Sequence, residues 1–216
     1  MNPLKTRELL PMTHPNIAVL SQKDALDHIE KIARLRIEIF IEYPYLYEGD
    51  MEYESMYLKK FLNSPDFVIV VLKDGNEVVG AMTGLPLIDE EPNITHPWIE
   101  AGLSIGHVYY FSEILLYPKY RRKGYGRRIF QLAEAHIAKF GKYTQSSLAT
   151  VVREKIHPMR PHDYSDTDRF WETLGYQKRD RFICHISWRE IGEGEDSNKP
   201  LVFWTKDLGS KLNTLN

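Results

Sequence analysis

The sequence predicts an α/β fold of the α+β kind, in which a single mixed central β-sheet carries helices on both faces. Two observations predict it. Two runs rich in β-branched residues, 67–73 and 77–85, flank an Asp-Gly-Asn turn and should pair as an antiparallel hairpin. Between residues 107 and 152 a strand, a helix and a strand follow one another, an order that normally joins parallel neighbours of one sheet by a right-handed crossover.

The first part of the chain predicts one strand and two helices. A strand is expected at 17–20. Ser21 followed by Asp24 resembles a capping box, and apolar residues then recur at helical spacing until Pro44 forbids continuation. A second helix is predicted over 53–61, before a turn-forming Asn-Ser-Pro segment ends it.

The middle of the chain alternates loop, strand and helix. Residues 86–105 are rich in proline and acidic residues and predict a long loop. The run 107–116 predicts a strand, and the apolar positions from 126 to 140 predict a helix closed by Gly141. A strand at 147–152 completes the crossover unit.

The last part predicts a short helix and two strands. Ser165 with Asp168 indicates another capped helix, which should end at Leu174 before a glycine. Closing strands are expected near 182–189 and 201–206, joined by a long hairpin loop rich in Gly and Glu.

The length of 216 residues is nearer one domain than two. We expect one domain at 17–208, with an N-terminal tail at 1–16 and a C-terminal tail at 209–216. The chain has 43% hydrophobic and 27% charged residues and a formal net charge of -2, which gives no global attraction to nucleic acid or to anionic membranes. Any anion binding must therefore be local.

The compartment expected from the sequence is the cytoplasm. No apolar run approaches the ~20 residues that a membrane span needs, and the N-terminus lacks an apolar core of signal-peptide length. Cys184 is the single cysteine, so no intrachain disulfide is possible. It lies in a strand-like run, which favours a buried structural residue over a covalent nucleophile.

The segment from Arg121 to Gly126, RRKGYG, leaves a strand and enters a helix. Its glycines let the backbone approach a ligand, and a helix N-terminus adds free N–H groups and a partial positive charge. Such a segment can hold a pyrophosphate. The alternative is a basic turn that only caps an amphipathic helix. The chain has neither the glycine pattern of a dinucleotide-binding turn nor that of a P-loop, and a second basic element for nucleic acid is missing from the sequence.

The run ILLYPKYRRKGYGRRIF resembles the coenzyme A segment of GNAT acetyltransferases. Arg121, Gly124 and Gly126 fall on the family's (Q/R)xxGx(G/A) signature, and the predicted order of elements over 17–208 is also similar to the family's order. The resemblance implies a GNAT-like fold, acetyl-CoA as acyl donor, and a cofactor site formed by strand and loop. The implied cofactor-binding residues are Ile114, Leu115, Leu116, Arg121, Arg122, Lys123, Gly124, Tyr125, Gly126 and Arg127.

The chain departs from the family at a tyrosine that often protonates the leaving thiolate. Aligned on Gly175, Trp171 stands at that position, and an indole N–H is not a useful acid. Tyr164, with Asp163 beside it, is a candidate replacement, although polar residues there more often cap a helix.

The acceptor amine must lose a proton, because an ammonium has no lone pair to attack a thioester. Glu113, on the strand ahead of the coenzyme loop, is the best candidate base, since a half-buried carboxylate can have a raised pKa. Tyr110 on the same strand is a weaker candidate. The alternative for Glu113 is a solvent-facing or salt-bridged position, because alternation along a strand does not fix its face.

By resemblance, the first two helices and their connection wall the acceptor site. The implied substrate-binding residues are Glu38, Tyr43, Tyr45 and Tyr47, although clustered tyrosines more often pack a turn. His157, Arg160 and His162 lie among prolines in a later loop. Two histidines without further ligands are poor evidence for a metal, so we expect an acceptor-side loop and no metal.

The functional expectation is an N-acetyltransferase in which a primary amine attacks acetyl-CoA directly, with the Leu116 N–H meeting the oxyanion as in the family. The acceptor is expected to be a small molecule or a peptide, bound by a monomer or a homodimer without nucleic acid or membrane. The alternative is a catalytically weak acyl-CoA-binding or regulatory protein that kept the coenzyme loop, which Trp171 motivates.

Overall fold

A computed structural model describes residues 14–209 of the chain. Its centre is one seven-stranded sheet with the order β1-β2-β3-β4-β5-β7-β6. The strands are β1 Asn16–Val19, β2 Val68–Asp74, β3 Glu77–Pro86, β4 Val108–Leu116, β5 Gln145–Val151, β6 Gln177–Trp188 and β7 Ser197–Asp207. β4 and β5 are parallel and every other neighbouring pair is antiparallel, so the sheet is mixed as predicted.

Five α-helices accompany the sheet within residues 14–209. They are α1 Gln22–Phe40, α2 Met51–Phe61, α3 Pro92–Glu100, α4 Tyr125–Ile137 and α5 Asp168–Thr173. Ser21 caps α1 as predicted, because its side chain accepts the N–H of Asp24. Asp50 caps α2 by accepting two backbone N–H groups, so that helix starts two residues earlier than 53.

Helices cover both faces of the sheet, which confirms the predicted fold class. The alternation of β2 shows the arrangement: Val68, Val70 and Leu72 belong to the cluster packed against α4. Ile69 and Val71 belong to the cluster formed with α1 and α2. Because successive side chains of a strand point to opposite faces, these five buried side chains pack alternately toward α4 and toward α1 and α2.

β4 and β5 stay paired over a short stretch only. Their register runs from Val108 opposite Gln145 to Tyr110 opposite Ser147 and then ends. β5 continues instead along β7 up to Val151. The C-terminal half of β4 therefore pairs with β3 along one edge only. Its other edge is open, and the candidate site described below lies at this open edge.

A β-bulge in β4 decides which way its last residues point. Thr83 lies opposite Glu113 whereas Gly84 lies opposite Phe111, so Ser112 is an extra residue without a partner. An extra residue reverses the alternation beyond it. Phe111 faces α4, and after the bulge Glu113 and Leu115 face α1 and α2 instead.

Three sequence expectations are wrong in detail. The loop predicted at 86–105 contains α3, which begins at Pro92, a residue tolerated in a first helical turn, and which carries Pro97 inside. Ser165 does not cap α5, whose N-cap is Thr167 without a side-chain hydrogen bond. The closing strands are longer than expected, so the hairpin loop spans only 189–196.

Cys184 is 1% exposed, and burial raises the pKa of its thiol to about 12. A protonated thiol in this environment fills space, as expected for a structural cysteine. Within residues 14–209, no helix combines the length and the apolar character required to cross a membrane. The boundary predicted at residue 17 differs from β1 by one residue, and most of both predicted tails lies outside the described residues.

Candidate active site

A cleft of about 1510 Å³ opens where β4 separates from β5. The loop before α4 forms one end of the cleft, and the α1–α2 connection forms a wall. The segment between β5 and α5 covers the remaining side, with Arg160, Pro161 and Tyr164 among its lining residues. The sequence-predicted cofactor loop and part of the predicted acceptor wall therefore meet in one cavity.

The loop before α4 has the backbone of an anion site. Arg122 and Gly124 have positive φ values of 57° and 81°, with Lys123 between them at negative φ. Alternation of left-handed and right-handed residues turns successive N–H groups to one side. Gly124 caps α4 without a side-chain hydrogen bond, and the first intrahelical bond goes from the Arg128 N–H to the Gly124 carbonyl. The N–H groups of the first helical turn thus remain for a ligand.

Gly126 is not required by the packing of the protein itself. A Cβ added there would lie 3.5 Å from Leu116 and from Phe170, which is ordinary van der Waals distance. Gly126 lines the cleft. A side chain at this position would therefore take space from a bound ligand rather than from the fold.

Gly126→Ala is expected to weaken binding of acetyl-CoA, the ligand that the resemblance implies, by about 10- to 100-fold, because a methyl group overpacks the ligand by ~1–3 kcal/mol. The same change should leave the free energy of unfolding unchanged or raise it by up to about 1 kcal/mol, since alanine favours a helix over glycine. Calorimetric titration and urea unfolding measure the two effects. Gly106→Ala is the matched control, as a Cβ there meets open space outside the cleft. Wild-type affinity in Gly126→Ala would refute the assignment.

The open edge of β4 presents backbone groups of Ile114 and Leu116 to the cleft. The Tyr117 N–H donates to the Val79 carbonyl on β3, and backbone groups alternate along a strand, so those of Leu116 point away from β3. The Leu116 carbonyl accepts the Arg121 Nε–H at 2.8 Å. The backbone groups of Leu115 point to β3, and its side chain is fully buried against α1. The predicted contact of Leu115 with a cofactor is therefore not supported.

The basic residues of the loop differ in what they contact. Arg121, Arg122 and Arg127 line the cleft, whereas Lys123 and Tyr125 do not. Arg121 also donates from Nη1 to the Glu42 carboxylate at 2.7 Å. This ion pair joins the loop before α4 to the connection that follows α1, so one end of the cleft is attached to its wall.

Glu113 lines the cleft and is ion-paired with Arg36 of α1. Arg36 also pairs with Glu54 of α2, which is fully buried, and the Tyr47 hydroxyl donates to the other Glu54 oxygen at 2.7 Å. The guanidinium carbon of Arg36 lies 4.4 Å from the centre of the Tyr57 ring. Glu113 thus occupies the salt-bridged position that was the alternative, and it does so at the wall of the cleft.

Arg36 was not among the predicted site residues, although its position in the sequence indicated burial. It falls on the buried stripe of α1 with Ile29, Ile32, Ala33 and Phe40. A charged residue on an otherwise apolar helical stripe needs a buried partner. The partners lie on α2 and β4, far apart in sequence, so the pattern alone did not identify them.

A second carboxyl group reaches the cleft through Ser112, the bulge residue. The Ser112 hydroxyl lines the cleft and donates to Glu90 at 2.8 Å. The other Glu90 oxygen accepts the Glu91 N–H at 3.2 Å. Burial raises the pKa of Glu90. Sequence reasoning missed this residue because residues 86–105 read as a loop.

The two candidate tyrosines are placed differently. Tyr110 is buried on the α3 side among apolar residues such as Leu87 and Phe203, away from the cleft lining, so a catalytic role for it is not supported. Tyr164 lines the cleft, and its ring meets Tyr43 edge-on at 4.6 Å. Burial raises the pKa of Tyr164, which makes its hydroxyl a weaker acid than an ordinary phenol.

Trp171 has a packing role in this structure. The indole is buried against Phe130 and Tyr176, and its N–H donates to the Thr167 hydroxyl at 3.0 Å. This bond links a residue inside α5 to the N-cap residue of the same helix. The position where the resemblance would place an acid therefore supports the wall of the cleft here.

Two of the four predicted substrate-binding residues line the cleft and two do not. Tyr43 and Tyr45 line the cleft. Glu38 is exposed outside it and accepts the Tyr117 hydroxyl at 2.5 Å, and Tyr47 is turned toward Glu54. The predicted substrate contacts of Glu38 and Tyr47 are therefore not supported, because their hydroxyl or carboxyl groups are used within the protein.

Arg153 fixes the acceptor wall and was also missed. Its Nε donates to the Pro44 carbonyl at 2.7 Å and its Nη2 to the Tyr45 carbonyl at 3.2 Å, and it pairs with the buried Glu190. The Trp188 indole N–H adds a bond of 3.1 Å to the same Tyr45 carbonyl. The α1–α2 connection is thereby attached to the end of β5 and to the β6–β7 hairpin.

No group of three or more potential metal ligands is found in the part of the chain that the structure describes. His157, one of the two loop histidines, packs against the Tyr43 ring at 5.5 Å and its Nδ1 accepts the Met159 N–H. It acts as a turn-forming residue beside the acceptor wall.

The splayed strand, the amide-lined loop and the helix N-terminus define a cleft for an elongated ligand with an anionic centre. A protein-family model described as the acetyltransferase (GNAT) family matches residues 29–155. The chain belongs to the GNAT acetyltransferase family. The comparison with curated proteins gave no match.

Many solved structures share the fold at low identity. The yncA protein of Salmonella typhimurium, solved with its cofactor acetyl-CoA, is 10% identical, with 91% of this chain and 95% of that chain covered at a TM-score of 0.56. The paiA N-acetyltransferase of Thermoplasma acidophilum, in complex with coenzyme A, is 15% identical (89% and 99% covered, TM-score 0.51). An N-acetyltransferase of Staphylococcus aureus is 12% identical (91% and 100% covered, TM-score 0.58). At these identities the likeness concerns the fold.

Proposed function

We propose that this protein transfers the acetyl group of acetyl-CoA to a primary amine of a small-molecule or peptide acceptor by direct attack. One observation carries the proposal: the open edge of β4 lies between a loop of unpaired amides and a buried carboxylate, Glu113, that reaches the cleft. Two structural neighbours hold acetyl-CoA or coenzyme A, which supports the choice of acyl donor.

Binding of the donor uses the loop and the strand edge. The amides from Arg122 to Arg127 and the N-terminus of α4 hold the pyrophosphate, and the basic side chains of the loop add attraction. The Ile114 and Leu116 backbone groups bind the pantetheine arm. The Leu116 N–H, which points into the gap, donates to the thioester oxygen as negative charge develops there, and one such donor is worth ~3 kcal/mol.

The transfer forms a C–N bond and breaks the C–S bond of the thioester. The acceptor nitrogen attacks the carbonyl carbon, and Glu113 takes the proton that the nitrogen releases on Oε1, the oxygen left without a hydrogen-bond partner within the described residues. Arg36 holds the Glu113 carboxylate at the wall of the cleft. The departing thiolate takes a proton from solvent or from Tyr164, the phenol that lines the cleft.

Acetyl-CoA turnover with a panel of primary amines tests the proposal. Release of free coenzyme A thiol, with one acetyl group gained by the amine, is the expected result. The rival function is a catalytically weak acyl-CoA-binding or regulatory protein, favoured by the buried, hydrogen-bonded Trp171. Tight acetyl-CoA binding without thiol release for any amine would establish the rival and overturn the enzyme proposal.

Trp171→Phe is expected to keep kcat within about threefold, because the indole N–H is bonded to Thr167 and takes no part in proton transfer. Stability should fall by about 1–3 kcal/mol from the lost hydrogen bond and the smaller ring. Thiol release and urea unfolding measure the two quantities. A kcat loss above a hundredfold with unchanged acetyl-CoA affinity would show that the indole participates in the reaction.

The setting we propose for this activity is the cytoplasm, with the chain working as a monomer or a homodimer. The formal net charge of -2 favours a small or peptide acceptor over nucleic acid. No metal is needed for this chemistry, since the donor thioester is already activated.

A further inference from the structure

The acceptor end of the cleft contains a guanidinium held against two aromatic rings. The Arg160 guanidinium carbon lies 4.8 Å from the centre of the Tyr164 ring and 5.8 Å from that of the Tyr43 ring. All three residues line the cleft. Arg160 is half-buried, so its charge has lost part of its contact with water.

The Arg160 guanidinium is not paired with a carboxylate in the described part of the chain, although Asp163 and Asp166 line the same cleft. Among the other cations that line the cleft, Arg153 pairs with Glu190 and Lys178 with Asp168, whereas Arg122 and Arg127 form no ion pair within residues 14–209. Lys155, a second lining cation of the same segment, also has no carboxylate partner within the described residues. A partly desolvated guanidinium without a carboxylate is suited to bind one from a ligand.

The loop holds Arg160 in a defined position. The Arg160 N–H closes a turn on the His157 carbonyl at 3.0 Å, and the Tyr164 N–H closes the next turn on the Pro161 carbonyl at 3.1 Å. Pro158 and Pro161 fix backbone φ within these turns. An arginine on an ordered backbone, with its guanidinium against two rings, loses less freedom on binding an anion than one on a mobile loop.

A hydroxyl group beside Arg160 also lacks a partner. The Tyr43 side chain is 8% exposed, and its hydroxyl makes no hydrogen bond within the described part of the chain. A buried hydroxyl without a hydrogen bond is unfavourable unless a ligand or a water molecule forms one with it. Arg153 fixes the backbone beside Tyr43 through the neighbouring Pro44 carbonyl, and the Tyr43 ring centre lies 5.8 Å from the Arg160 guanidinium carbon.

We infer that Arg160, with Tyr43, binds a carboxylate or phosphate group of the acceptor, and that the acceptor is therefore an amine that also carries an anion. An amino acid or a related zwitterionic amine has this chemistry. The inference rests on the proposed acetyl transfer. The same side chain can also meet a phosphate of the donor, so the experiment separates the two sources of the anion.

The first measurement compares matched acceptor pairs that differ by one carboxylate: ornithine with putrescine and phenylalanine with phenethylamine. Wild-type kcat/KM is expected to be at least about tenfold higher for the carboxylate member of a pair, and Arg160→Gln should remove that preference through KM. The acetyl-CoA dissociation constant should stay within about twofold. Arg181→Gln, an exposed arginine outside the cleft, is the control.

The second measurement does not need turnover. The coenzyme A-bound protein is titrated with N-acetylphenylalanine and with N-acetylphenethylamine, and only the first should bind measurably, with affinity lost in Arg160→Gln. Equal binding of the two compounds, or no binding of either, overturns the anion site. Transfer without any carboxylate preference overturns it while leaving the enzyme proposal intact. A tenfold loss of acetyl-CoA affinity in Arg160→Gln assigns the guanidinium to the donor and also overturns it.

Discussion

Replacement of Arg36 by methionine is expected to lower the free energy of unfolding by about 3–5 kcal/mol. The side chains of Glu54 and Glu113 are 0% and 4% exposed, and both are paired with this one guanidinium. Without it, two buried carboxylates lie close together with no cation between them. Removing one partner of a buried pair leaves the desolvation penalty of the other uncompensated. Urea unfolding at neutral pH measures the loss.

A mutant cycle separates charge from packing. Adding Glu54→Gln and Glu113→Gln to Arg36→Met removes the whole ionic cluster, and much of the lost stability should return, because neutral groups carry a smaller desolvation penalty. If Arg36→Met alone costs less than about 1 kcal/mol, the cluster is not the buried network described here. If the triple variant regains none of the stability lost in Arg36→Met, the loss comes from the missing packing of Arg36 against Phe40 and Tyr57.

Glu113→Gln is expected to lower kcat by about 10²–10⁴-fold, the usual contribution of a general base. The acetyl-CoA dissociation constant should change little, because the proposed donor contacts are the loop and the Ile114 and Leu116 backbone, not the Glu113 side chain. Folding should also be preserved, since Gln has the same size and the Arg36–Glu54 pair remains. Thiol release with the best amine of the panel measures the effect.

Glu54→Gln is the matched control for this prediction. It removes a carboxylate from the same Arg36 cluster, but Glu54 does not line the cleft. Its kcat should stay within a few fold of wild type. Equal losses in the two variants would show that Glu113 acts only through the ionic cluster, and a Glu113→Gln variant with wild-type kcat would move the base elsewhere.

The features that the sequence predicted correctly depend on neighbouring residues. The hairpin around Gly75, the Ser21 cap and the glycine-bearing turn into α4 are set by local backbone chemistry and by periodicity within one element. The order of these elements then implied the parallel pair β4–β5, because a helix between two strands requires a crossover. The gap beyond Tyr110 follows from the early end of that pairing.

The features that the sequence did not predict depend on long-range packing. The bulge at Ser112 turned Glu113 toward α1, and no pattern within β4 marks an extra residue. α3 contains Pro97 and is packed on the sheet through Trp98, whose ring centre lies 5.0 Å from that of Phe182 in a distant segment. Tertiary packing of this kind overrides weak local propensity.

The most direct test of the central claim is backbone hydrogen exchange with and without saturating acetyl-CoA. The predicted result is at least about tenfold slower exchange at the amides of 122–127 and at the Ile114 and Leu116 amides, because ligand oxygens would occupy their donors. A second depression of about 490 Å³, lined by Ser104, His107 and Asp207, should show no change. Slowed exchange at that depression, with the β4 edge and the loop unaffected, would contradict the account.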